Sequence, residues 1–113
     1  MRTVTAYTIK SDKQLAAAVD EASSLLETIL GRAADTVTAE WSIEADPQGR
    51  KVVLLKISDW TGAVSTMIAP EDLSRPYRLY SRLHKLWGDL LQVRSDRQLQ
   101  KLNETIGQLQ DER

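Results

Sequence analysis

The sequence predicts an α+β domain of order β-α-β-β-β-α: a four-stranded, mainly antiparallel sheet with two helices on one face and a C-terminal helical extension. Three patterns carry that prediction. A helical period runs from Leu15 to Ala33, an alternation of two begins at Val37, and Leu73–Val93 has the apolar surface of a helix in two interfaces.

The first strand is predicted over Thr3–Ile9, which is rich in β-branched residues. Ser11-Asp12-Lys13-Gln14 matches a capping box, with Ser11 accepting from the Gln14 backbone N–H and the Gln14 side chain reaching back. Leu15, Val19, Ala22, Leu26, Ile29 and Ala33 follow on one helical face, and Gly31 suits the helix end. From Val37 the apolar residues Val37, Ala39, Trp41, Ile43 and Ala45 alternate with Thr38, Glu40, Ser42 and Glu44, as in a half-buried strand. Asp46-Pro47-Gln48-Gly49 supplies a turn. Lys51–Ser58 is continuously apolar enough for a strand covered on both faces, and a second turn, Asp59-Trp60-Thr61-Gly62, leads to a strand over Ala63–Ala69. Short turns make these three strands a meander.

Pro70-Glu71-Asp72 opens the second helix with proline in the first turn and acids at the positive end of the dipole, and Pro76 defers the regular helix to about Arg75. Leu79, Leu83, Leu86 and Leu90 form one stripe at 100° per residue; Tyr80, His84, Trp87 and Leu91 form a second beside it. Together they cover roughly 200° of the cylinder, where a surface helix shows a little over ~100°. Beyond Val93 a narrower seam takes over: Leu99, Leu102, Ile106 and Leu109, spaced 3-4-3. Ser95-Asp96-Arg97-Gln98 could start a new helix with its own cap, but a helix running through Ser95 with a four-residue stutter is the favoured expectation. Residues 1–94 are therefore expected to form one domain and 95–113 an extension.

Composition narrows the function classes. At 113 residues, 42% hydrophobic and 27% charged, the chain can bury one core. With no cysteine, disulfides, thiolate catalysis and Cys-ligated zinc are excluded. The first residues lack the apolar core of a signal peptide and no run approaches ~18 apolar residues, so a cytoplasmic location with no membrane partner is expected. The net charge of −1 is unevenly spread: −4 over residues 1–74, +5 over 75–101 and −2 over 102–113.

No catalytic, cofactor or metal residues are expected. The single histidine, His84, has no acid at i±3 or i±4, and one histidine makes a poor zinc site. Glu40 and Glu44 read as the polar side of a strand, and no glycine-rich loop is present to cradle a phosphate. Arg75, Arg78, Arg82 and Lys85 recur on one helix face and could track phosphates, against the plainer expectation of a solvated face. Trp60, at a hairpin tip, either folds back or serves as an exposed anchor.

No family can be named from these residues. The element order is similar to that of double-stranded-RNA-binding domains and, with its leading strand, of ribosome-hibernation factors, a similarity of topology alone. The second helix departs from such domains, because Pro70-Glu71-Asp72 stands where phosphate binding needs cations. The leading functional expectation is a non-enzymatic module that forms a homo-oligomer, or docks a protein partner, through Tyr80, His84, Trp87, Leu91, Leu99, Leu102, Ile106 and Leu109. The alternatives are an RNA- or ribosome-associated protein using its basic row, and a small enzyme or ligand-binding protein with His84 and Trp87 in the wall of a pocket between sheet and helix.

Overall fold

A computed structural model describes residues 1–111, with side chains through Gly107. Four strands, β1 (Arg2–Thr5), β2 (Thr38–Ala45), β3 (Lys51–Asp59) and β4 (Gly62–Ile68), form one sheet in the order β1-β2-β3-β4. The pairs β2–β3 and β3–β4 are antiparallel, while β1 lies parallel to β2, so the sheet is mixed. Two long helices, α2 (Lys13–Leu30) and α3 (Pro76–Asp111), accompany a single turn, α1 (Tyr7–Lys10).

Alternation fixes which face is covered. In β2, Ala39 and Trp41 are buried while Glu40 and Glu44 are exposed, the expected register. Trp41 pairs with Leu55, and Ala39 with Ile57. These residues, with Val53 and Ile68, meet Leu15, Val19, Ala22 and Leu26 of α2 and Leu79, Leu83, Leu86 and Leu90 of α3 in one core. The indole Nε1–H of Trp41 is buried there with no acceptor among the described residues.

Several local expectations are corrected. The first strand stops at Thr5, and Tyr7–Lys10 turns into α1, which drives Ile9 into the core instead of along an edge strand. The cap of α2 is Asp12, whose carboxylate accepts from the Leu15 N–H; the Ser11 hydroxyl instead donates to the Thr8 carbonyl as α1 ends. β3 is covered on one face only: Val52 and Leu54 lie half-buried on the open side of the sheet. Pro70–Ser74 forms a separate 3-10 turn, because Pro76 starts a new helix rather than continuing one.

α3 runs unbroken through Ser95. Its 36 residues span about 54 Å, whereas the nine residues of β3 reach only ~30 Å. The helix therefore leaves the sheet behind.

Candidate interaction surface

The rotation of α3 sets what each of its faces meets. Leu79, Leu83, Leu86 and Leu90 point into the sheet and are buried. About 100° to one side, the basic row overhangs the free edge of β4, bounding a groove of about 750 Å³ lined by Ser65, Thr66, Arg78, Arg82 and Lys85 among others. The second apolar stripe lies on the opposite flank, beside α2, with which α3 is in contact. Trp87 is half-buried there, Tyr80 and Leu91 are 48% and 44% exposed, and His84 is exposed. The Tyr80 and His84 rings tilt against each other at 5.3 Å. α2 thus covers only part of this stripe. His84 and Trp87 do not line the β4 groove.

A polar clamp holds α3 where it passes the end of the sheet. The Asp59 carboxylate, fully buried as a side chain, accepts from Arg94 Nε at 2.5 Å. Asp59 also accepts from the backbone N–H and the hydroxyl of Thr61, within its own hairpin turn. Arg94 extends a second donor to Thr36 Oγ1 at 3.0 Å, and its guanidinium lies 5.3 Å from the centre of the Trp87 ring. One side chain thereby joins the β3–β4 hairpin, the end of the first crossover and α3. Burial pushes the Asp59 pKa up, but the hydrogen bonds from Thr61 and Arg94 and the arginine's charge outweigh it, leaving the carboxyl below its ordinary value. Beside the clamp, Gly62 has φ +156° and approaches so closely that a Cβ would stand 2.9 Å from Val93 Cγ1.

Past the clamp the helix projects. Trp60, 70% exposed at the hairpin tip, faces Arg97, Gln100, Lys101 and Glu104 across a shallow hollow. Leu99, Leu102 and Ile106 occupy the other side of the helix and are 56%, 54% and 44% exposed. Leu109, the fourth residue of the expected seam, has its side chain outside the described residues.

Neighbouring acids and backbone engage the basic row. Arg75 and Arg78 both reach Asp72, at 3.7 and 3.5 Å, and Lys85 reaches Asp89 at 3.5 Å. Arg82 donates to the Met67 carbonyl at 3.1 Å, closing part of the β4 edge. These contacts leave the row less charge to offer phosphates than the sequence suggests. On the open sheet face, Glu40 lies 3.8 Å from Lys56 across the β2–β3 pair.

Sequence reasoning found the exposed stripe but missed the clamp. Asp59 carries a turn signal, and it does make the turn. Nothing local pairs it with a residue 35 positions on, or ties that arginine to a threonine 58 positions back.

No family model, no curated protein and no solved structure matches this chain.

Proposed function

We propose that this chain is a non-enzymatic self-association module in which two copies join through the outer face of α3. The observation that carries the reading is the row Leu91, Leu99, Leu102 and Ile106, about half exposed on a helix that runs past its own sheet. Full burial of one such side chain contributes about 1.5–3 kcal/mol, so a partner covering the row gains from each residue it shields. A two-heptad seam is marginal on its own, and the stripe from Tyr80 to Leu91 supplies the remaining contact. Most flanking positions are uncharged: Ser81, Gly88, Gln92, Gln98, Asn103 and Thr105 border the stripe, and the two charges beside its middle, Arg94 and Asp96, are of opposite sign.

Sedimentation velocity from low to high micromolar concentration tests the reading. The full chain should shift from monomer towards dimer, while the Leu99→Glu, Leu102→Glu double variant and a chain lacking residues 95–113 should remain monomeric and folded. A 113-residue chain that stays monomeric across that range overturns it.

A further inference from the structure

The exposed stripe of α3 reads alike in both directions. Its members are Tyr80, His84, Trp87, Leu91, Ser95, Leu99, Leu102 and Ile106, spaced 4-3-4-4-4-3-4. That spacing is a palindrome centred on the level of Val93. We infer that α3 pairs with α3 of a second copy in antiparallel fashion about this level, an inference that rests on the self-association proposed above. Tyr80 then faces the partner's Ile106, His84 its Leu102, Trp87 its Leu99, and Leu91 its Ser95.

This arrangement covers two exposed regions with one occupant. Each chain has a projecting segment with no sheet beneath it, Leu99 to Ile106, and a half-covered segment on its body, Tyr80 to Leu91. Tyr80–Leu91 and Ser95–Ile106 each span eleven residue steps, or about 16 Å of helix. The projection of one copy fits the body of the other in length, and the reciprocal contact forms at the same time, as an isologous two-fold interface requires.

A parallel, in-register pair would also juxtapose apolar residues, but it fits worse on two counts. It stacks Tyr80, His84 and Trp87 each on its own copy and leaves Ser95 against Ser95. The antiparallel pair sets the aromatic and imidazole rings against leucine and isoleucine, and the serine against Leu91. Gly88 sits within the outer face with open space where a Cβ would be, leaving room for close approach. The stripe takes seven turns to cover 26 residues, about 3.7 residues per turn against 3.6 for the straight helix, so the two helices should cross in the right-handed sense.

The absence of cysteine makes the pairing directly readable by engineered disulfides. Tyr80→Cys, His84→Cys, Leu102→Cys and Ile106→Cys all alter exposed positions, so folding is not at stake. Under mild oxidation, a mixture of Tyr80→Cys and Ile106→Cys chains should give a covalent mixed dimer, as should His84→Cys with Leu102→Cys. Each variant alone should cross-link at least tenfold more slowly. Efficient self-linking of Leu102→Cys and Ile106→Cys chains would mean a parallel pair and overturn the inference. A dimer in sedimentation whose mixed pairs fail to link also overturns it, while leaving self-association standing. A monomer in sedimentation removes both.

Discussion

The two halves of α3 are one continuous helix with the same habit of placing leucines three and four residues apart, yet they end in opposite environments. Leu83, Leu86 and Leu90 lie over β3 and β4 and are almost wholly buried, while Leu99 and Leu102 on the projecting half are more than half exposed. Helical period dictates only that such residues share a face. What lies opposite that face decides whether they become core, and for α3 the supply of opposing sheet ends at the hairpin turn of residues 59–62. The clamp of Arg94 on Asp59 marks that boundary: on one side side-chain burial holds the helix, and on the other its own backbone hydrogen bonds do.

If that division is right, the largest effects of substitution fall on the seated half and on the sheet beneath it. Trp41→Ala should cost about 3–5 kcal/mol and Leu83→Ala about 2–5 kcal/mol in urea unfolding, and Leu102→Ala measured as a monomer should cost far less. A loss at Leu102 as large as at Leu83 would mean that the projecting half is covered by its own chain.

At the boundary, Arg94→Met strips a buried carboxylate of its charged partner and should cost about 2 kcal/mol, within the range for hydrogen bonds to charged groups. The sign with pH follows from the lowered Asp59 pKa. A carboxylate whose folded value lies below its unfolded value of ~3.9 gives its full stabilisation above that pH, and loses it as pH falls through the folded value. Asp59→Asn should therefore be less stable at neutral pH and show a shallower fall in stability on acidification. An unchanged acid slope would remove Asp59 as a source of that dependence.

Gly62→Ala should cost about 1–3 kcal/mol by overpacking, because its Cβ would press on Val93 Cγ1 from a backbone φ that side chains seldom adopt. Val93→Ala in the same chain should recover part of the loss, since it removes the atom in the way. Full additivity of the two changes would show that backbone conformation alone requires glycine there.

These sites also show where the sequence was legible. The register of β2 was, since Trp41 and Glu40 sit in an alternation that permits one buried face. So was the continuity of α3, whose residues from Pro76 onward include no further proline to stop it. The first strand was misjudged because β-branched content reaches past Thr5, while only the backbone bond from the Ala6 N–H to the Trp41 carbonyl shows where pairing ends. The two apolar stripes were visible at once, but the length of sheet available to cover them was not, since that depends on where the β3–β4 hairpin turns against α3. The clamp and the Gly62–Val93 approach were invisible for a simpler reason: they join residues whose nearness exists only after folding.

The smallest expected effect on folding is also the sharpest test of the comparison. A chain ending after Arg94 keeps the buried leucine stripe, the sheet and the Asp59 clamp, and loses only residues whose described side chains lie mainly in solvent. Its denaturant midpoint, measured under dilute monomeric conditions, should move by no more than about 0.5 kcal/mol, the usual range for surface changes. The same deletion removes Leu99, Leu102 and Ile106, so the concentration dependence of thermal stability should vanish with it. On the proposed self-association, the 113-residue chain should melt at higher temperature as its concentration rises, because a dimer of folded chains draws the equilibrium away from the unfolded state; the shortened chain should melt at one temperature throughout. A shortened chain that retains the dependence would place the contact on the seated half alone, at Tyr80 to Leu91. One that loses several kcal/mol would mean that the projecting helix supports the domain, and the boundary drawn at Arg94 would have to move towards the C-terminus.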